Sequence, residues 1–546
     1  MANKLRIIPI GGLGEVGKNM MVIEYGRNAL IIDAGLMFPE NDMLGIDYII
    51  PDYSYLRDKA DMIRGIVVTH GHEDHTGAIR HVLAELNAPI YATPLTRGLL
   101  EVKLRDAKLF DKATLNTVQA GDNVNIGPFN VEFYHACHSI PDNVGLGITT
   151  PVGLIVHSGD FKIDHTPVDG KLTDFSKLGE FASRGVLVLL SDSTNSTKPG
   201  WTPSESVVDG AFDQVFRQAP GRIIVATFAS LISRIQQVVN ACARHNRKMT
   251  LVGTSMVENA KMAQKLGYLE APDGLIVPLD QALKMPAKKV VIMTTGSQGE
   301  PSAIVGRLSM GRNRSFELIE GDTVVLSAHP IPGNEETVAR TINRLFQRGA
   351  NVIYDPILPV HVSGHASAEE QKLLINLVRP KFFVPVHGEL RQLNQHAALA
   401  REVGIPAENI AIIENGTVLE FTENEMNVGE RVPGGYVYVD GTGVGDIGPA
   451  VLRERENLAR DGFVVVNLQV NRQTGKLVDK PMILSKGFVF VRDSEELFSV
   501  AARKAEAAAM SANGKGIARS VEEKLSEFFY SEMKSRPMVF ALVNEV

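Results

Sequence analysis

One six-residue run constrains this chain more than any other feature. His70-Gly71-His72-Glu73-Asp74-His75 follows the apolar stretch Ile66-Val67-Val68-Thr69. A short apolar run bounded by polar residues reads as a buried strand, so the histidines occupy the loop that closes it. His70 and His72 lie two apart and point to one side of an extended chain, whereas Asp74 and His75 fall where the loop enters a helix predicted over 78–86. Three imidazoles and a carboxylate offered from two local geometries suit two adjacent metal ions better than one.

The remaining donors are expected at other strand ends. His138 follows a strand predicted over 131–134, Asp160 closes Ile155-Val156-His157-Ser158-Gly159-Asp160, and His387 closes Phe383-Val384-Pro385-Val386-His387. With the first loop they complete a set of seven: His70, His72, Asp74, His75, His138, Asp160 and His387. Imidazole and carboxylate without thiolate suit zinc, with manganese as a substitute. Cys137 adjoins His138 but reads as a small core residue. Only one further cysteine, Cys242, is present. Two thiols make no disulfide framework, which favours a reducing compartment and a cytoplasmic location. Histidines 81, 135, 157, 165, 245, 329, 361 and 396 show no ligand pattern.

The chain of 546 residues is long enough for several domains. Up to about residue 195 it reads as short strands (28–32, 63–68, 131–134, 153–156, 186–190) closed by polar loops. From about 206, strand and helix alternate regularly: strands at 223–227, 249–252, 290–293 and 323–326, and a helix from 233. This predicts an open parallel sheet with helices on both faces. The first texture returns after 366 with a strand at 382–386, so the second domain reads as an insertion in the first. A glycine-rich stretch from Gly434 to Gly448 suggests a linker or tight turns. Beyond it a small α+β unit is expected. It comprises a hairpin of 463–470 with 476–482 around 471–475, a strand at 487–491, helices at 495–512 and 521–534, and a last strand at 538–543. No apolar stretch approaches membrane-spanning length. A net charge of −7 excludes a wholly basic nucleic-acid binder but not a basic groove.

The metal pattern resembles the metallo-β-lactamase superfamily. Further motifs narrow the resemblance to its β-CASP branch and, within that, to the ribonuclease J family: Gly11-Gly12-Leu13-Gly14-Glu15-Val16-Gly17-Lys18-Asn19, Asp33-Ala34-Gly35, Ser191-Asp192-Ser193-Thr194-Asn195, Thr295-Gly296-Ser297-Gln298-Gly299-Glu300-Pro301 and His361-Val362-Ser363-Gly364-His365-Ala366. The resemblance covers nearly the whole chain. It implies an α/β fold, a metallo-β-lactamase αββα sandwich with an inserted β-CASP α/β domain and a small α+β C-terminal domain. The implied boundaries are 1–205 and 366–446 for the sandwich, 206–365 for the insertion, 447–456 for a linker and 457–546 for a C-terminal oligomerisation domain.

The resemblance further implies one ion on His70, His72 and His138, a second on Asp74, His75 and His387, and Asp160 as the bridge. The cofactor would be two Zn²⁺ per subunit, with Mn²⁺ or Mg²⁺ as substitutes. Asp33 would orient the ligands from behind; its bland alternative is a turn Asp before Gly. The implied activity is that of an exo- and endoribonuclease acting 5′ to 3′ in RNA decay and maturation, including mRNA decay and rRNA processing. A metal-bridging hydroxide would attack phosphorus in line, leaving 5′-monophosphate products. Asp74, Asp160 and His365 are the catalytic candidates, His365 stabilising the transition state or protonating the leaving oxygen, with a structural role as the alternative. Ser363, Gly364, His365 and Ala366 would form a phosphate-binding turn of backbone amides, and Ser230 would help hold a terminal phosphate. Phe228 reads as a base-stacking or core residue and Arg234 as a phosphate contact. Thr254 and His329 depart from the family pattern, which has Arg at the first and Ser near the second. The implied partners are single-stranded RNA with a preferred 5′-monophosphate end, further copies in a homodimer or homotetramer, and other members of an RNA-degrading complex. Two other functions fit parts of the pattern: a small-molecule metallohydrolase such as a lactonase or thioesterase, and an RNA-binding subunit of a nuclease complex. The inserted domain argues against the first and the full ligand set against the second.

Overall fold

A computed structural model describes residues 4–331, 333–474, 476–489, 495–512 and 516–546. The chain forms two compact units, one of Met1–Phe38 with Tyr48–Val437 and one of Pro39–Asp47 with Tyr438–Val546.

The first unit is built on two face-to-face sheets. One runs in the order Met426–Arg431, Thr417–Phe421, Leu5–Gly11, Met20–Tyr25, Asn28–Ile32, Ile63–Val67, Ile90–Ala92 and Leu115–Thr117. The other runs Phe382–Val386, Val186–Asp192, Leu154–His157, Val144–Thr149, Phe129–His135 and Asn123–Ile126. Period-2 alternation drives their inner faces together: Ile7, Ile23 and Leu30 of one sheet share a core with Val131, Phe133, Leu146 and Ile148 of the other. Helices Phe175–Arg184 and Ala368–Val378 cover the outer face of the second sheet, where Leu178, Phe181, Leu374 and Ile375 pack on Tyr134, Val156 and Leu189. This is the αββα sandwich expected.

Between strands Val186–Asp192 and Phe382–Val386, which are parallel neighbours, the chain makes a separate five-stranded sheet. Its order is Lys248–Leu251, Val290–Thr294, Ile223–Ala226, Thr323–Leu326, Asn351–Tyr354, and every pairing is parallel. Its strands are apolar on both sides because each face carries its own helical core, Phe212 and Ile235 on one and Leu308 and Leu345 on the other. The inserted doubly wound domain is thus observed.

The glycine-rich region holds the tight turns expected but not the linker. Tyr436–Asp440 and Gly443–Val444 form a hairpin, pairing Val439 with Val444. Most of 447–456, expected as a linker, lies in the helix Pro449–Asp461. Pro449 occupies its first turn, and the following Ala, Leu, Arg and Glu residues are strong helix formers.

In the second unit, Met482–Lys486, Phe463–Val470 and Met538–Glu545 form a three-stranded sheet. Helices Glu495–Ser511 and Ile517–Met533 bury Val464, Val466 and Leu468 against Ala505, Val521 and Phe529. The hairpin's second strand begins later than expected. Leu477 bridges back to Val470 and the Val478 amide donates to the Gln469 carbonyl at 2.8 Å, but the continuous ladder starts at Met482, just after Pro481, which has no N–H to donate. Of the strand expected at 487–491, residues 487–489 form a bend and 490–491 lie outside the described residues, as does Gly475 in the hairpin turn. No helix among the described residues is long and apolar enough to cross a membrane.

Candidate metal centre

Parallel strands in the sandwich end on one side, and the seven expected donors converge there. Strand Asn28–Ile32 pairs with Ile63–Val67, placing Asp33 beside the His70 loop. The Asp33 carboxylate accepts from the Thr69 amide at 2.8 Å and the Thr69 hydroxyl at 2.9 Å. It also accepts from His75 Nδ1 at 2.8 Å, which turns His75 Nε2 toward the centre. A four-residue helix, Glu73–Thr76, starts immediately after His72, whose carbonyl accepts from the His75 and Thr76 amides. Asp33 and His387 both have left-handed backbones, φ 59° and 53°, a local strain that surrounding structure must hold in place.

Two clusters result. In the first, His72 Nδ1 lies 3.1 Å from His70 Nε2 and 3.2 Å from His138 Nε2. In the second, Asp74, His75, Asp160 and His387 meet, with His75 Nε2 3.2 Å from Asp160 Oδ2 and His387 Nε2 3.4 Å from Asp74 Oδ2. Within each cluster the ligand atoms lie within 4.8 Å of one another. Asp160 joins them: its Oδ2 is also 3.6 Å from His70 Nε2 and 3.7 Å from His138 Nε2. That oxygen is buried and accepts no hydrogen bond among the described residues. A buried carboxylate oxygen without a donor is costly unless a cation meets it, so the donor set fits divalent metal ions.

The clusters differ electrostatically. Burial holds His70 and His138 well below the ordinary imidazole range and His72 down to about 4, so the first cluster presents neutral lone pairs. In the second cluster burial works the same way, but carboxylates outweigh it. Asp160, Asp74 and Asp33 raise His75 well above its ordinary value, and Asp160, Asp192 and Asp74 do the same for His387. Burial would lift Asp160, yet His387, His75 and His365 bring it well below the usual carboxylate range.

His365 stands at the edge of the centre. Its ring stacks on His387 at 5.3 Å, and its Nδ1 lies 2.7 Å from Asp192 Oδ2 and 3.9 Å from Asp160 Oδ2. Burial opposes its protonation, but Asp192 and Asp160 raise its pKa. With Nδ1 engaged by Asp192, Nε2 is the nitrogen left to exchange a proton.

Asp192 was given no role by sequence reasoning. It ends the strand that runs parallel to Phe382–Val386, with Asp192 opposite Val386, so the strand-end rule that found His387 also marks Asp192. Thr194 was likewise missed. Its hydroxyl is 2.7 Å from both Asp192 Oδ1 and His387 Nδ1. Both lie in the Ser191–Asn195 motif.

The Ser363–Ala366 turn is close, but it is not the amide cradle expected. The Ala366 amide donates to the Phe161 carbonyl at 2.6 Å, and the His365 amide donates to Ser363 Oγ at 3.2 Å. The side chain of Ala366 is core. The Gly364 carbonyl takes a hydrogen bond from His138 Nδ1 at 2.7 Å, and glycine is required there because a Cβ would meet the His138 ring at 2.6 Å. Phe228 and Ser230 are half-buried on the loop after strand Ile223–Ala226, at the C-terminal edge of the inserted sheet. Phe228 is therefore not a core residue. Arg234 is buried, and its guanidinium is spent on Glu205 (2.8 Å), Gln237 (2.7 Å), the Val360 carbonyl (2.6 Å) and Ser327. It is a structural hub and not an available phosphate contact. Thr254 is exposed at the first turn of the helix Thr254–Lys265, and the half-exposed His329 packs edge-on to His361 at 4.6 Å. Cys137 is buried, as expected, with its thiol toward the Lys171 carbonyl.

Four family models match the chain. They are the metallo-β-lactamase superfamily over residues 13–186, the ribonuclease J β-CASP domain over 220–345, the Zn-dependent metallo-hydrolase RNA specificity domain over 351–410 and the ribonuclease J C-terminal domain over 450–546. The chain is 44% identical to a ribonuclease J of Synechocystis sp., covering 99% of this chain and 86% of that one. It is 40% identical to ribonuclease J2 of Bacillus subtilis, covering 99% of each. With a ribonuclease J of Thermus thermophilus it shares 42% identity over 89% of this chain and 85% of that one. A crystal structure of an Enterococcus faecalis protein of unknown function matches with a TM-score of 0.54 at 16% identity, covering 78% of this chain and all of that one, a likeness of fold alone.

Proposed function

The chain belongs to the ribonuclease J family, and from that premise we propose that its two clusters hold a pair of divalent ions with which it hydrolyses RNA. It is a metal-dependent ribonuclease. The finer reading is zinc as the ion, with Mn²⁺ or Mg²⁺ as substitutes, bound by His70, His72 and His138 on one side and Asp74, His75 and His387 on the other. Asp160 would span both, and Asp33 would orient His75. The observation that carries this reading is the buried Asp160 Oδ2, which accepts no well-formed hydrogen bond among the described residues and stands between two converging sets of imidazoles, His75 Nε2 at 3.2 Å and His70 Nε2 at 3.6 Å.

Bound there, such ions supply Lewis acidity that activates water near neutral pH and neutralises charge developing on a phosphodiester. The chain's own groups do the rest. Asp74 and Asp160 hold charge balance at the centre. His365, whose pKa Asp192 raises, is placed to give its Nε2 proton to the leaving 3′-oxygen, so that the product retains a 5′-monophosphate. Ser363 and Gly364 border the same space and would orient the phosphate. Ser230 and Phe228, on the loop of the inserted domain, would contact the RNA end, one through its hydroxyl and the other by stacking.

We read the activity as both 5′-to-3′ exonucleolytic and endonucleolytic, on single-stranded RNA with a preference for a 5′-monophosphate. The domain division 1–205, 206–365, 366–446 and 457–546 is retained as part of this proposal. The cytoplasmic reading rests on Cys137 and Cys242 being free thiols that make no disulfide framework. Self-assembly through the C-terminal unit is supported by the uncovered face of its sheet, where Leu484 is 58% and Leu542 53% exposed beside Met482 and Phe540. Leu484→Glu with Leu542→Glu is expected to reduce the mass measured by light scattering to that of one chain; an unchanged mass would remove this assembly mode.

The test of function is degradation of end-labelled RNA bearing a 5′-hydroxyl, monophosphate or triphosphate, with metal analysis of the same sample. The expected result is fastest decay of the monophosphate RNA, with products that retain 5′-monophosphates. Protein that holds no metal and cuts none of these RNAs would defeat the proposal.

A further inference from the structure

The loop from Gly11 to Asn19 takes no part in the chemistry above, yet it is tied to the centre at both ends. At one end the Gly12 carbonyl accepts from the Gly388 amide at 3.3 Å and the Gly14 amide donates to the Gly388 carbonyl at 2.9 Å, directly after His387. At the other, the Asn19 amide and its side-chain Nδ2 each donate to the Asp74 carbonyl at 3.0 Å. Asn19 Nδ2 also lies 3.2 Å from His75 Nε2. Lys18, one residue earlier, donates its amide to the Leu36 carbonyl, and the Leu36 amide donates to Glu73.

The loop is closed from within. Lys18 is fully buried, with Nζ 2.8 Å from Glu15 Oε1. The same oxygen accepts from the Gly12 amide at 3.0 Å and from Asn415 Nδ2 at 2.8 Å. Gly12 has φ +89° and would carry a Cβ 2.2 Å from Asn19 Oδ1, so no side chain fits where the loop folds over Asn19. Removing one member of a buried ion pair strands the other charge, so Glu15 and Lys18 hold the loop shut together.

We propose that this loop is a clasp that sets the span between Asp74–His75 and His387, making Glu15, Lys18 and Asn19 positioning residues for the second cluster and not for the first. The inference rests on the two-ion reading above. The second cluster draws its donors from three distant parts of the chain, residues 74–75, 160 and 387, and a cation tolerates little error in their separation. The clasp bonds to two of those three parts. Among the described residues, none of its hydrogen bonds reaches His70, His72 or His138.

The test is titration of Zn²⁺ into the metal-stripped full chain, in competition with a chromophoric chelator. The unaltered chain should take two equivalents. Asn19→Ala, which removes only an amide group, should weaken one equivalent by about 10- to 100-fold and leave the other unchanged. In a His72→Asn background, where the second cluster is the intact one, Asn19→Ala should weaken the remaining equivalent to the same degree. Lys18→Met should act like Asn19→Ala, and Glu15→Gln combined with it should recover part of the loss by removing the stranded charge. Equal weakening of both equivalents, or none, in Asn19→Ala would overturn the clasp. An unaltered chain that takes fewer than two equivalents would overturn the two-ion reading itself, and the clasp with it.

Discussion

The two halves of the metal centre are built from different materials. The first cluster is three imidazoles that burial keeps neutral, two of them in one short loop and the third held by the Gly364 carbonyl. The second is two imidazoles among carboxylates, which raise both rings well above the ordinary imidazole range. One half therefore offers lone pairs ready for a cation, whereas in the other a cation competes with protons that the carboxylates favour. A shared ligand, Asp160, thus joins two sites with unlike demands, and each half can be disturbed separately.

Asp160→Asn strikes both halves and should have the largest effect. Hydrolysis is expected to fall on the order of 10³-fold or more, corresponding to the several kcal/mol that metal-assisted charge stabilisation supplies. Metal content should fall at both clusters, and a variant that retains two ions would break the comparison. His72→Ala should match that loss of hydrolysis while an RNA-binding assay shows binding retained, which separates an enzyme from a binding subunit. His365→Gln should reduce kcat by about 10²-fold with metal content unchanged, because it removes a proton donor and no proposed ligand. Asp192→Asn acts one step further away, through His365, and a loss of about tenfold is expected, together with an alkaline limb of the pH–rate profile shifted to lower pH, because Asp192 raises the His365 pKa.

The smallest effect is in the stability of the metal-free chain. His72 has a folded pKa of about 4 against an ordinary 6.5, so its contribution is present above about 6.5 and is lost as pH falls toward 4. His75 and His387 are raised, so theirs is present below the ordinary value and is lost as pH rises through their folded values. Urea midpoints at pH 5 and 7 should therefore draw closer together in His72→Asn. An unchanged gap would mean that the neutral cluster does not govern the acid side.

Much of the centre was legible because its donors follow apolar strands, and strand ends are visible as a change from apolar to polar residues. His138, Asp160 and His387 were found in this way, and the change of texture near 206 marked the inserted sheet. What was not legible depended on burial and on backbone partners. Arg234 looks like a phosphate contact in a helix until its guanidinium is seen among Glu205, Gln237 and Val360. Ala366 offers an amide in sequence, but Phe161, two hundred residues away, takes it. The glycines around 434–448 signalled turns correctly, yet the helix that begins at Pro449 is set by the formers that follow and not by the glycines before it. Asp192 was overlooked because a carboxylate between two serines reads as a turn; only pairing with the strand that leads to His387 reveals its place.

The central claim is that RNA hydrolysis depends on both clusters filled at once. The most direct measurement strips the metal from the chain, returns Zn²⁺ in fractions of an equivalent, and follows the cleavage of 5′-monophosphate RNA at each step. Almost no cleavage is expected up to one equivalent per chain, with a rise that saturates at two. Full activity at one equivalent, or undiminished cleavage by the stripped chain, would contradict the claim.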